Sequence, residues 1–229
     1  MSVFAAGISS MATRQILAEL AAAYEEATGE VITIESVGGV DAAKRIRAGE
    51  PFDFAVLASD ALQKLEADGR LVPGSIIEIA ESPMAMAVRA GAEKPDPLDE
   101  AAVRKAMESA KAIGISTGPS GTHVQKLASD WGLEGEGASR LVQAKPGIPV
   151  AKLLADGEVE IGFQQLSELL GAPGIDIVGL LPESLQPGTV FAAALCKAGV
   201  HTEAARAFID YLVSDETAET KRQHGMIPV

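Results

Sequence analysis

The sequence has 229 residues, of which 47% are hydrophobic, 22% charged and only 4% aromatic, a balance that excludes a disordered chain and fits one large domain or two lobes of roughly 100 residues. Nineteen Lys and Arg face 32 Asp and Glu, so the net charge is −13. That sign excludes a basic footprint for nucleic acid and attraction to an anionic membrane surface, but not a small anion, which responds to local dipoles more than to net charge.

No internal repeat or low-complexity tract interrupts the chain. Val3–Ala6 predicts a short buried strand, and Gly7, Ile8, Ser9 and Ser10 a turn. Ile16, Leu20 and Tyr24 recur at four-residue spacing beside Leu17, which predicts a helix capped by Ser9 or Ser10 and stopped by Gly29. Val31–Val37 alternates and reads as a strand. Gly38-Gly39-Val40-Asp41 opens a helix through Ile46, with Asp41 as its cap. Asp53–Leu57 is the third strand, followed by a helix capped by Asp60 and ended by Gly69.

The middle of the chain repeats this grammar independently. Ala112–Ser116 reads as a strand, Gly118-Pro119-Ser120-Gly121 as a loop and Thr122–Trp131 as a helix. Ile148–Ala155 is a further helix, and Glu160–Phe163 and Asp176–Leu180 are strands. Two apolar segments, Pro83–Val88 and Val190–Cys196, bracket this block, and a final helix gathers Ala205, Phe208, Ile209 and Leu212 on one face.

Alternating strands and helices build mainly parallel sheets covered by helices. Two such α/β units follow, the second inserted into the first. Residues 1–82 plus 191–229 form one lobe and 83–190 the other, with the bracketing segments as the crossings. A ligand would then sit between the lobes, beyond the carboxyl ends of the strands.

Three segments share the form strand, small-residue loop, helix start: Gly7–Ser10, Gly38–Asp41 and Gly118–Thr122. Each presents free N–H groups and the positive end of a helix dipole, and glycine admits close approach to the backbone. Ser9, Ser10, Gly38, Gly39, Val40, Ser120, Gly121 and Thr122 are therefore the candidate ligand contacts, although the same residues would serve equally as caps and turns. Gln164 and Gln165 join them, because an amide both donates and accepts. If the strand ends at Phe163, one of the two glutamines projects toward the ligand and the other away. His123 sits in a first helical turn as a donor or general base, or as a surface residue. Arg14 could clamp a carboxylate or lie on a solvated face.

The longest uninterrupted apolar run, Val190–Cys196, has seven residues, far short of the about 20 that a membrane span needs, so no insertion is expected. The N-terminus has no basic region followed by an apolar stretch. As it stands the chain reads as cytoplasmic, and as periplasmic if a signal has been removed. A single cysteine, Cys196, excludes an internal disulfide. His123, His201 and His224 lack partners at metal spacing, so neither metal nor cofactor is expected. The absence of a nucleophile elbow, a P-loop and paired metal carboxylates excludes hydrolase, kinase and metalloenzyme readings.

Val3-Phe4-Ala5-Ala6-Gly7, then Arg45 through Asp53 (RIRAGEPFD), Ala58-Ser59-Asp60 and Ile161-Gly162-Phe163-Gln164-Gln165 resemble, in order and along essentially the whole chain, the molybdate-binding proteins of ABC importers. The resemblance implies a type II periplasmic-binding-protein fold: two lobes, each a mostly parallel sheet flanked by helices, closing on a small ligand. It also implies ABC importer membrane subunits as partners. Molybdate binders of this family use a serine in each of the first two loops, backbone N–H groups of the other lobe and a tyrosine after the late strand. Here Ser9 and Ser10 stand slightly displaced in the first loop, Gly38-Gly39-Val40 replaces the second serine, and the tyrosine position reads Gln165.

A hydrogen bond to a charged group contributes about 1.5–3 kcal/mol, so the two missing donors weaken a molybdate site by orders of magnitude. Ile8, Val40 and the glutamines better suit an organic carboxylate with an apolar skeleton. Three functional readings stay open. The first is a solute-binding protein for a small anion. The second is an isomerase: some proteins similar to this family shift a proton on unsaturated polycarboxylates such as aconitate, which here would use His123, with Glu168 nearby in sequence. The third is a cytoplasmic anion-sensing domain.

Overall fold

The computed structural model describes residues 4–133 and 140–229, so Val3, the expected start of the first strand, lies outside the described residues. The chain divides into Met1–Ser82 with Thr189–Val229 (unit 1) and Pro83–Gly188 (unit 2). In chain order unit 1 begins with β1 (Phe4–Ser10), a 3-10 turn (Met11–Thr13), α1 (Arg14–Thr28), β2 (Val31–Val37), α2 (Gly39–Arg47), β3 (Phe54–Ala58), α3 (Ser59–Ala67) and β4 (Ile77–Ser82). Unit 2 holds β5 (Met84–Arg89), α4 (Glu100–Ser109), β6 (Ile113–Ile115), α5 (Pro119–Asp130), β7 (Leu141–Gln143), α6 (Val150–Ala155), β8 (Ile161–Gln165), α7 (Leu166–Leu169) and β9 (Ile175–Leu180). The chain returns to unit 1 as β10 (Thr189–Leu195), α8 (Thr202–Leu212), α9 (Ala218–Gln223) and β11 (Ile227–Pro228).

The unit 1 sheet has the order β11-β4-β10-β3-β1-β2, and the unit 2 sheet β7-β6-β8-β5-β9. β1 runs parallel to β2 and β3, while β10 is antiparallel to β3 and β4, and β11 to β4. In unit 2, β6 is parallel to β7 and β8, and β5 is antiparallel to β8 and β9. The bracketing segments Pro83–Val88 and Val190–Cys196 were expected as crossings, but they supply β5 and β10, interior strands of the two sheets. Their composition explains the difference. Met84, Ala85, Met86 and Ala87 have no exposed surface, and neither do Ala192, Ala193 and Ala194. Such runs belong where a sheet is covered on both faces.

Helices cover both faces of each sheet. In unit 1 the face carrying Ala5, Phe54 and Val56 packs against Ile16, Leu17 and Leu20 of α1 and Phe208, Ile209 and Leu212 of α8. The face carrying Ile8, Ala55 and Leu57 packs against Ala42 and Ile46 of α2 and Leu62 and Leu65 of α3. In unit 2 Met86, Ile161 and Phe163 meet Val103, Met107, Val124 and Leu127 of α4 and α5, while Ala85 and Ala87 meet Val150, Leu153 and Leu154 of α6. Each buried Leu, Ile or Phe contributes about 1.5–3 kcal/mol.

Local expectations differ from the structure at four helix starts. Gly7–Ser10 is the second half of β1 and not a turn, in register with Ile34–Val37 of β2. Gly7 is required there because a β-carbon would lie 2.3 Å from the Phe54 ring. Ser10 precedes only the 3-10 turn and makes no capping bond. Asp41 and Asp60 are not caps: they lie in the first turns of α2 and α3, whose flanking residues are Gly38 and Ala58. Finally, Pro119-Ser120-Gly121 belongs to the first turn of α5, with Gly118 outside it and Pro119 at its first position, where a missing N–H is harmless. Gly29 does end α1, at φ 74°.

The start of β3 carries a buried carboxylate that ties unit 1 together. Asp53 accepts the N–H of Ala6 on one oxygen and those of Val200 and His201 on the other, each at 2.8 Å. Burial pushes its pKa up, but the N–H donors of Ala6, His201 and Val200 and the His201 ring outweigh burial and hold the carboxyl below the usual carboxylate range. Asp53→Ala strands three N–H groups and is expected to lower the unfolding free energy by about 3 kcal/mol, measured by urea denaturation. A depressed folded-state pKa adds stability that is full above the unfolded value of about 3.9 and disappears as pH falls through the folded value. The difference between wild type and Asp53→Asn should therefore shrink below about pH 4.

Candidate functional site

Because β1 and β2 are parallel neighbours, their carboxyl ends bring Ser9 beside Ser36 and Ser10 beside Val37. Strand alternation then sends Ser9 and Ser10 to opposite faces. On the α1 face the Ser9 and Ser36 hydroxyls form a pair at 2.7 Å. Arg14 and Ser36 line an open groove on this face together with Ile34 and Leu17. On the α2 face Ser10 meets the start of α2, where a β-carbon at Gly39 would lie 3.8 Å from the Ser10 β-carbon. Gly38 flanks that helix, and Val40 in its first turn is 53% exposed, an apolar surface beside hydroxyls and N–H groups. Asp41 shares the turn and pairs with Lys44 at 3.5 Å.

In unit 2 the strands β6 and β8 are parallel neighbours, and the end of β8 and the chain just past β6 carry the second set of candidates. The Ser116 hydroxyl pairs with that of Ser120 at 2.8 Å and accepts the Gly118 N–H at 3.1 Å. Gly121 lies directly over this turn: a β-carbon there would fall 1.8 Å from the Ser116 carbonyl oxygen. Thr122 turns its hydroxyl back to the Gly118 carbonyl at 3.4 Å.

β8 runs through Gln165, two residues beyond the expected end, and its pleat separates the two glutamines. Gln164 lies on the α6 face. It accepts the Val150 N–H at 2.9 Å and donates to Glu168 at 2.8 Å, so its amide is engaged within unit 2. Gln165 lies on the face shared with Phe163, where α5 packs. It is 1% exposed, and neither its amide nitrogen nor its amide oxygen has a hydrogen-bond partner among the described residues. The Ser167 hydroxyl, two residues on, is buried and unpartnered in the same way. Burial pushes the Glu168 carboxyl up to about 7, against the lowering effect of the Gln164 bond. His123 points its Nε2 at the Leu185 carbonyl at 2.7 Å, which places the proton on Nε2 and leaves Nδ1 as the basic nitrogen.

The structure thus gathers Ser9, Ser10, Gly38, Gly39 and Val40 at one end of the unit 1 sheet, and Ser120, Gly121, Thr122 and Gln165 at the carboxyl ends of β6 and β8 in unit 2. Sequence reasoning missed Ser36, Ser116 and Ser167. Each stands at or just past the end of a strand, and that position was the available signal. Among the described residues no group of three or more His, Cys, Asp or Glu could hold a metal ion, and no helix is long and apolar enough to cross a membrane. Cys196 is buried, with a thiol pushed up to about 12 by burial and by the Asp53 carboxylate, so it is not a nucleophile.

The close fit at Gly121 generates a test. Gly121→Ala should destabilise the protein by about 1–3 kcal/mol through displacement of the α5 start. At Gly118 a β-carbon meets only the Ser116 Oγ, at 3.6 Å, so Gly118→Ala should cost no more than about 1 kcal/mol. Thermal unfolding of the two variants checks the contrast.

The family model described as "Bacterial extracellular solute-binding protein" matches residues 7–227. The chain is 35% identical over 227 residues to an aconitate isomerase of a Pseudomonas species, covering 97% of this chain and 87% of that protein. It is 27% identical over 219 residues to the molybdate-binding protein ModA of Azotobacter vinelandii, covering 90% and 83%. The solved periplasmic molybdate-binding protein of Azotobacter vinelandii superimposes with a TM-score of 0.82 at 20% identity, covering 98% of this chain and 99% of that one. The chain belongs to the bacterial extracellular solute-binding protein family and has the α/β, two-lobed type II periplasmic-binding-protein fold.

Proposed function

We propose that this protein captures a small organic polycarboxylate in preference to molybdate, outside the cytoplasm, and delivers it to the membrane subunits of an ABC importer. Ser9, Ser10, Gly38, Gly39 and Val40 of unit 1 and Ser120, Gly121, Thr122 and Gln165 of unit 2 are the proposed contacts. The observation that carries the preference is Gln165, a buried amide with no partner among the described residues. A metal oxyanion brings acceptors on every side, whereas an organic acid can bring a carbon skeleton and an O–H beside its carboxylates, and the amide presents an acceptor as well as donors. The exposed Val40 at the start of α2 adds apolar surface suited to a carbon skeleton. Calorimetry with molybdate, tungstate, succinate, citrate and aconitate tests this reading. Binding of at least one carboxylate is expected, weakened about tenfold or more by Gln165→Ala. Submicromolar molybdate binding with no response to any carboxylate would overturn it.

The aconitate isomerase relative favours a second reading, in which the bound acid also undergoes a proton shift. A base removes an allylic proton, the double bond moves, and the same proton returns to the other carbon, so atoms and electrons balance without a co-reactant. His123, through Nδ1, is the proposed base, and Glu168 is a second candidate because burial brings its carboxyl near neutrality. NMR spectra of cis-aconitate incubated with the protein should show conversion to the trans isomer. His123→Ala should then abolish turnover and spare most binding; unchanged turnover removes His123 from the role. A Glu168 base would instead give a rate that rises with pH through about 7 and is lost in Glu168→Gln.

A further inference from the structure

We infer that the ligand donates a hydrogen bond to Gln165: beside its anionic ends it carries an O–H, supplied by a hydroxyl group or by a carboxyl that keeps its proton. The inference rests on the reading of Gln165 as a ligand contact and goes beyond it by specifying what the ligand must offer. A side-chain amide has two donor hydrogens on Nε2 and one acceptor, Oε1. A fully deprotonated anion, whether metal oxyanion or carboxylate, satisfies Nε2 and leaves Oε1 facing other acceptors. Turning the amide over exchanges the two atoms but leaves one acceptor unsatisfied.

Gln164 provides the internal contrast. It is as buried as Gln165, yet its oxygen accepts from Val150 and its nitrogen donates to Glu168, so both polar atoms of this buried amide find partners within unit 2. Among the described residues Gln165 has neither bond, and Ser167, two residues on, has a buried hydroxyl equally without a partner. A serine hydroxyl adapts to either donor or acceptor, so Ser167 adds affinity without choosing. Gln165 Oε1 chooses, because only a donor satisfies it. A buried acceptor left unmade weakens binding by roughly tenfold or more.

The test uses the full chain and two matched pairs of acids, malate against succinate and citrate against tricarballylate. Titration calorimetry is run in two buffers of different ionisation enthalpy, so that protons taken up on binding are counted. If the O–H is a hydroxyl, malate and citrate bind at least about tenfold more tightly than their hydroxyl-free partners. If it is a carboxyl proton, succinate or tricarballylate binds with uptake of one proton. In either case Gln165→Met should erase the preference or the uptake, while Ser167→Ala weakens both members of a pair alike. Gln165→Glu keeps the shape, replaces two donors by acceptors, and provides a second variant should the methionine substitution fail to fold; it should accentuate the demand for a proton. Equal binding within both pairs without proton uptake would overturn the inference and leave the carboxylate reading standing. A preference that survives Gln165→Met unchanged would remove it from Gln165. If none of the four acids binds but aconitate does so without proton uptake, the inference falls alone; if aconitate fails too, the carboxylate reading falls with it.

Discussion

The pleat of the sheets governs what each residue at a strand end can do. Successive residues of a strand face opposite sides, so a sequence pair such as Ser9-Ser10 or Gln164-Gln165 is divided between two environments. Ser9 joins Ser36 on the α1 side of unit 1, while Ser10 meets the beginning of α2. Gln164 is drawn into a chain of bonds from Val150 to Glu168, and Gln165 emerges on the side where α5 begins. Without that alternation the two glutamines would share one environment, and their amides would not differ in their hydrogen bonding.

The pleat can exert this control only because the strand ends are held in place. In unit 1 Asp53 draws Ala6, Val200 and His201 onto one buried carboxylate, which fixes β1, β3 and the approach to α8 relative to one another. In unit 2 the bare α-carbons of Gly114 and Gly162 let Val150 and Leu154 press against β6 and β8; a β-carbon at Gly162 would stand 2.6 Å from Val150. These contacts fix the strands from which the candidate residues project.

Two functions named among the relatives, molybdate binding and aconitate isomerisation, make different demands on a framework of this kind. Capture needs complementary donors around a rigid anion. A proton shift needs in addition a group able to take and return a proton near neutrality. Beside Gln164, burial pushes the Glu168 carboxyl up to about 7, and the His123 ring is oriented by its bond to the Leu185 carbonyl. The same framework can therefore support a binder or an enzyme, and fold likeness alone does not choose between them.

Much of this molecule was legible in the sequence. The four-residue spacing of Ile16, Leu20 and Tyr24, the left-handed Gly29 and the alternation of Val31–Val37 identify α1 and β2, because period and turn chemistry are local properties. The order of motifs along the chain pointed to the family and its fold. The sequence did not reveal that Gly7–Ser10 continues a strand, since that depends on pairing with Ile34–Val37 and on the Phe54 ring filling the space above Gly7. Nor did it reveal that the apolar segments at 83–88 and 190–196 are interior strands, because burial on both faces is created by helices distant in sequence. The separation of Gln164 from Gln165 likewise needed the tertiary structure: both are amides at adjacent positions, and only the partners that packing brings within hydrogen-bond reach distinguish the satisfied one from the open one.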